Sequence, residues 1–260
     1  MMKKINDIIG DAKTIGIAGH LRPDGDCMGS CMTYLYHNHN HEFRTINGKY
    51  ILDYIIENTD QIITTGYDGT KFDLFISLDT ASLDRLGLNL PFYENAKRTA
   101  CIDHHASNDG YADYNYILPK ASSASEVLYD LLDEDLIDKS IAEPMYMGIA
   151  HDSGVFRFQS TTPKTMRIAA NMIEKGVNVN MILEETFFRK TYNQMMVTAK
   201  IQSEAVLALD GKCIYGYCTS EMMEEYGVTT KDLDAVVASI RNVDGVEVAM
   251  FLYQLSEDSY

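Results

Sequence analysis

Three short apolar runs, each ending abruptly in carboxylate or imidazole side chains, narrow what this chain can fold into. The first, Thr14-Ile15-Gly16-Ile17-Ala18, leads directly into Gly19-His20-Leu21-Arg22-Pro23-Asp24-Gly25-Asp26. The second, Lys71-Phe72-Asp73-Leu74-Phe75-Ile76-Ser77-Leu78, ends in Asp79. The third, Arg98-Thr99-Ala100-Cys101-Ile102, runs into Asp103-His104-His105. Short, nearly continuous apolar runs suit parallel strands buried on both faces. Ligands bind outside the carboxyl ends of such strands. The prediction is an α/β fold with a mostly parallel, doubly wound sheet.

The intervening segments read as helices. Cys27 to Tyr36 has helical spacing of apolar residues. A short strand is expected over Glu42 to Ile46 and a short helix over Tyr50 to Ile56. Ser123-Ala124-Ser125-Glu126 has a capping-box pattern at a helix start. A helix over Ile141 to Ala150 delivers His151-Asp152-Ser153-Gly154, and Thr162-Pro163 opens another that runs to Lys175-Gly176. Glu184 to Ala208, with no Gly or Pro, reads as mostly helical. It leads into a smaller unit with strand Cys213 to Thr219, helix Thr230 to Arg241 and strand Val246 to Leu255. The expected organisation is a domain over 1–185, a helical linker over 186–208 and a second, smaller α/β domain over 209–260.

Composition excludes some functions. The formal net charge of -16 argues against wrapping duplex DNA, which needs many Lys and Arg on phosphates. No apolar run approaches the roughly 18 residues of a membrane span, and the start of the chain is too short and polar for a secretory leader. Five cysteines without a CxxC pair fit a reduced cytoplasm. Cys27 and Cys31, one helical turn apart, read as small core hydrophobes. His37, His39 and His41 read as a solvated helix end, and Tyr111, Tyr114 and Tyr116 as packing residues.

His20, Asp24, Asp26, Asp79, His104 and Asp152 then stand at four element ends. Four carboxylates in one pocket repel one another unless cations neutralise them. Two divalent cations sharing carboxylates account for so many anionic ligands. Oxygen and imidazole donors without thiolate suit Mn²⁺ above structural Zn²⁺, with Mg²⁺ or Co²⁺ as alternatives. Of the adjacent pair, one His would serve the metal and the other the substrate, with Asp103 fixing a ring tautomer. Two-metal sites are characteristic of phosphoryl chemistry, where the pair activates a water and clamps the phosphate.

HLRPDGDCMGS, LDTAS, CIDHHASN and HDSGVFRFQSTTPKT resemble, in order and spacing, the four motifs of the DHH phosphoesterase family over about residues 14 to 176. The resemblance is strongest to the branch that cleaves short oligoribonucleotides, linear or cyclic di-nucleotides and 3'-phosphoadenosine 5'-phosphate. It implies His20 and Asp24 on one metal, Asp26 and His104 on the other, and Asp79 and Asp152 shared. It places His105 on the scissile phosphate, with Asp103 supporting catalysis and Arg22 and Arg157 holding substrate. The related family-II pyrophosphatases resemble PDTD where this chain has PDGD. Residues 200 to 260 resemble the beginning of the family's second domain, DHHA1, without its Gly-rich, His-containing loop. The implied enzyme is a cytoplasmic hydrolase acting on short single-stranded RNA or a small nucleotide, with no duplex DNA or membrane partner and a homodimer as the assembly to test. Two rivals stay open: a pyro- or polyphosphatase, and a nucleotide-binding regulatory module with little or no turnover. A plain dinucleotide-binding domain is disfavoured, because no G-x-G-x-x-G follows the first strand.

Overall fold

The computed structural model describes residues 5–21, 23–37, 42–46, 62–63, 67–233 and 236–254. Arg22, His39, His41 and the expected helix Tyr50 to Ile56 lie outside the described residues. The chain divides into two compact units, residues 1–187 and 188–260.

In the first unit, six strands are described: β1 (Thr14–Ala18), β2 (Glu42–Ile46), β3 (Ile62–Ile63), β4 (Leu74–Leu78), β5 (Thr99–Asp103) and β6 (Tyr114–Ile117). They form one parallel sheet in the order β3-β2-β1-β4-β5-β6. The three apolar runs are therefore its central neighbours. The winding direction reverses between β1 and β4, which is where an open parallel sheet leaves a crevice at its carboxyl edge. His20 and Asp79 follow those two strands.

The helices of this unit are α1 (Ile5–Ile9), α2 (Gly25–His37), α3 (Leu90–Glu94), α4 (Ala124–Leu131), α5 (Lys139–Asp152), α6 (Pro163–Glu174) and α7 (Val179–Leu183). Side-chain alternation explains why β4 reads as a continuous apolar run. Leu74, Ile76 and Leu78 enter the main core with Ile15 and Ile17 of β1, while Phe75 enters a second core with Phe72, Leu86, Phe92 and Tyr93. Both faces are covered. Asp152 belongs to the last turn of α5, slightly further along than the sequence boundary suggests.

Helix α4 starts where the Ser123 hydroxyl accepts the Glu126 N–H at 3.0 Å. Ser123→Ala should cost about 1 kcal/mol and lower the melting temperature by about 2–4 °C for a unit of this size. A thermal melt followed by circular dichroism checks this; an unchanged melting temperature would show that the cap contributes nothing.

The second unit holds α8 (Tyr192–Glu204), β7 (Val206–Ala208), β8 (Cys213–Cys218), α9 (Ser220–Tyr226), α10 (Val236–Arg241) and β9 (Val248–Tyr253). Strand β8 pairs antiparallel with β7 and parallel with β9. The helical reading of Glu184 to Ala208 needs correction at both ends: Val206–Ala208 pairs with β8 as a strand, and the start is broken. A single π-turn over Glu184–Phe188 ends, and α8 begins afresh behind Thr191, whose side chain and that of Gln194 form a reciprocal capping box. Among the described residues no helix is long and apolar enough to cross a membrane. All five cysteines are free and buried.

Candidate metal centre

Each site residue is placed by an element end. Gly19 and His20 leave β1, and the chain re-enters helix at Gly25. One oxygen of Asp24 caps that helix, accepting the N–H groups of Asp26 and Cys27 at 3.1 Å each. Its other oxygen faces His20 Nε2 at 3.7 Å. Asp24 thus performs a structural task and keeps one oxygen for the cluster.

Asp79 follows β4 in the left-handed region, with φ 52°. A non-glycine residue there costs about 1–3 kcal/mol and persists only where its surroundings hold it. The hold comes from its N–H on the Ile102 carbonyl at 3.0 Å. The result is a carboxylate set between two imidazoles: Oδ2 lies 3.6 Å from His20 Nε2 and Oδ1 lies 3.5 Å from His104 Nε2. Asp152 closes the group from the end of α5, with Oδ2 3.0 Å from His104 Nε2.

Asp26 is fully buried and held differently. Its two oxygens accept the N–H groups of Ala124 and Ser125, the latter at 3.0 Å. Those amides are the first of α4, where the helix dipole favours an anion. The remaining lone pairs face the cluster. One donor atom each of Asp26, Asp79, His104 and Asp152 lies within 4.8 Å of the other three.

Burial works against the charge on the imidazoles, but the carboxylates that approach them win. They raise His20 to about 9, through Asp24 and Asp79, and His104 to about 11, through Asp152, Asp79 and Asp26. Burial likewise opposes the charge on Asp24, yet His20 and the Cys27 N–H bring it down to about 2. Asp26 goes the other way: burial, then the charges of Asp79 and Asp152, push it well above the usual carboxylate range. The protein's own charges therefore leave the pocket in demand of positive charge.

The donor set also fits a divalent cation. Asp79 Oδ1 and His104 Nε2 are buried without a hydrogen bond, although buried polar atoms are normally satisfied. Oxygen and imidazole donors converge from four element ends, as hard and borderline divalent ions require.

Asp103 and His105 form a separate arm. Asp103 Oδ1 lies 2.8 Å from His105 Nδ1, and Oδ2 accepts from Asn108 Nδ2 at 2.7 Å. Asn108 also donates to the Thr80 carbonyl at 3.1 Å, and the Tyr111 hydroxyl donates to the same carbonyl at 2.8 Å. Burial notwithstanding, the His105 and Asn108 bonds keep Asp103 below its ordinary range, and the Asp103 bond raises His105. His105 is half-buried, at the open side of the cluster.

The two expected substrate residues stand apart from this geometry in different ways. Arg22 lies outside the described residues. Arg157 is exposed, and its Nε donates to the Gly154 carbonyl at 3.1 Å rather than to a member of the cluster.

Two contributors have no assigned role in the sequence reading. His151 offers a donor atom within 4.8 Å of Asp24 and Asp152, with Nδ1 3.4 Å from Asp152 Oδ1. Its place beside Asp152 was the available signal. Asn108 sits within the CIDHHASN motif, but nothing in its spacing indicates that it braces Asp103.

The model of the DHH family, N-terminal domain, matches residues 14–149. The bifunctional oligoribonuclease and PAP phosphatase NrnA of Bacillus subtilis is 26% identical over 251 residues, covering 93% of this chain and 78% of that protein. A probable protein of the same name from Streptococcus mutans is 28% identical over 252 residues, with the same shares covered. Among solved structures, an exopolyphosphatase-related protein from Bacteroides fragilis superposes with a TM-score of 0.83 at 21% identity, covering 93% of this chain and 76% of that one. That likeness concerns the fold.

Proposed function

The chain belongs to the DHH family, and on that footing we propose that it is a divalent-cation-dependent phosphoesterase of short oligoribonucleotides and of 3'-phosphoadenosine 5'-phosphate. The relatives' names supply the substrate class. The observation that carries the reading is Asp79, a buried carboxylate with one oxygen toward His20 and the other toward His104. That is the disposition of a ligand shared by two cations. His20 and Asp24 would hold one, Asp26 and His104 the other, with Asp79 and Asp152 serving both.

When bound, such a pair lowers the pKa of an attacking water and neutralises charge on the attacking and leaving oxygens. Mn²⁺ is the proposed ion, with Mg²⁺ and Co²⁺ as alternatives. The protein's own part is orientation. Asp24 and Asp26 are fixed by helix N-termini, so their oxygens do not have to be ordered when substrate arrives. Asp103 would accept a hydrogen bond from the Nδ1–H of His105, fixing the ring so that Nε2 faces a phosphate oxygen at the open side. Arg22 and Arg157 would hold the remainder of a short single-stranded substrate. A cytoplasmic setting, where such nucleotides arise, accompanies this proposal.

Cation binding has a direct stability signature. A ligand at 100 times its Kd stabilises the native state by about 2.7 kcal/mol, which for a unit of this size is a rise of about 5–10 °C in melting temperature. Mn²⁺ should produce that rise and a chelator should reverse it. A melting temperature indifferent to both would remove the metal-dependent reading. Hydrolysis of a di- or trinucleotide in Mn²⁺ tests the activity itself.

A further inference from the structure

Helix α4 carries the serine and glutamate of a capping box, but the glutamate does not complete the box. The Ser123 hydroxyl makes its half of the bond. Glu126 instead turns its Oε2 to Ser122, accepting from the backbone N–H at 3.2 Å and from the hydroxyl at 2.7 Å. The same oxygen accepts from the Thr165 hydroxyl at 2.7 Å. The Glu126 side chain is almost wholly buried, and Lys164 Nζ lies 3.6 Å from its other oxygen. A buried carboxylate with three donors on one oxygen fixes the segment it bonds.

That segment is the one that holds the cluster. Ala124 and Ser125 donate the two N–H groups that grip Asp26. The Ala121 carbonyl lies 3.4 Å from His104 Nδ1, on the ring edge opposite the Nε2 that faces Asp79 and Asp152. One short loop, residues 121–125, therefore orients two of the proposed cation ligands through backbone atoms alone. Backbone atoms cannot be tuned by side-chain choice, so their positions depend on what anchors the loop. Glu126 anchors it to α4, and Thr165 extends the anchor to the first turn of α6.

We infer that Glu126 is a positioning residue for the cation site: it sets loop 121–125, and through it the Asp26 carboxylate and the His104 ring. The inference rests on the reading of Asp26 and His104 as cation ligands.

The test is Mn²⁺ affinity by isothermal titration calorimetry on the full chain, with thermal melts alongside. Removing groups that orient metal ligands costs about 10–100-fold in affinity, and Glu126→Ala should weaken Mn²⁺ binding by that factor. Glu126→Gln keeps an acceptor oxygen at the same place and should bind closer to wild type than to the alanine variant. Asn178→Ala removes the cap of α7, where the Asn178 side chain accepts from Met181 N–H at 3.1 Å. It should lower the melting temperature while leaving Mn²⁺ affinity unchanged. Wild-type affinity in Glu126→Ala would overturn the inference, as would an equal loss in Asn178→Ala, which would mean that general destabilisation is responsible. Should Glu126→Ala fail to fold, Thr165→Val, which removes one of the three donors, carries the test. A several-fold loss is expected there, and wild-type affinity would overturn the inference. If the wild type itself binds no Mn²⁺, the cation reading has failed instead, and the two failures are distinguishable.

Discussion

Asp79→Ala should reduce hydrolysis of a di- or trinucleotide in Mn²⁺ by about 10³-fold or more, because metal clamps supply several kcal/mol of transition-state stabilisation at about 1.36 kcal/mol per tenfold in rate. The effect is expected to be the largest of any single substitution, since among the described residues Asp79 alone approaches both His20 and His104 through different oxygens. Alanine confounds the loss of the carboxylate with backbone strain at φ 52°. Asp79→Asn separates the two. Asparagine tolerates the left-handed region, so the fold should persist while a charged bridging ligand becomes a neutral one. The asparagine variant should therefore keep its metal-free melting temperature, lose most of the Mn²⁺-induced rise, and lose activity nearly as fully as alanine. Equal rates for wild type and either variant would sink the assignment.

The parallel sheet and the ligand-type residues at its strand ends were both legible because they follow from the same local rule. A parallel strand buried on both faces must be apolar until it leaves the sheet, so the first polar residues mark its end. Asp79 and His104 could be placed at one sheet edge for that reason alone. The legibility stopped where tertiary contacts decide. Asp26 meets the amides of Ala124 and Ser125 across 98 and 99 positions of sequence, and no periodicity announces such a pairing. His151 is another case: a histidine at the end of a helix has many fates, and its nearness to Asp24 depends on how α5 packs. The Glu126 spacing has a local meaning, the capping box, and the fold gives the carboxylate a different one. At Arg189–Thr191 the signal was present, since Thr191 and Gln194 have the spacing of a cap, but uninterrupted helix formers on either side obscured it. Arg157 is a further case: its Nε donates to the Gly154 carbonyl of the local turn, and no spacing in the sequence indicates that bond.

Gly148→Ala is the substitution expected to damage fold and site together. Gly148 lies one turn before Asp152 on α5, where α2 and α4 also converge. A methyl group there would lie 2.2 Å from Ser125 Oγ and 2.7 Å from Asp26 Oδ1. The Asp26 carboxylate cannot swing away without surrendering its two amide donors. Nor can α5 withdraw freely. At the same crossing a Cβ on Gly29 of α2 would lie 2.4 Å from the Pro144 carbonyl, so the two backbones are already in close contact. Overpacking of this kind costs about 1–3 kcal/mol, and a displaced carboxylate should lower Mn²⁺ affinity and turnover by about 10–100-fold. A second substitution divides the two effects. Ser125→Ala in the Gly148→Ala background removes the closer clash and should recover part of the melting temperature. The contact with Asp26 remains, so Mn²⁺ affinity should stay low. Full recovery of affinity in the double variant would show that the serine clash alone mattered. In that case Asp26 would not depend on a glycine at this crossing.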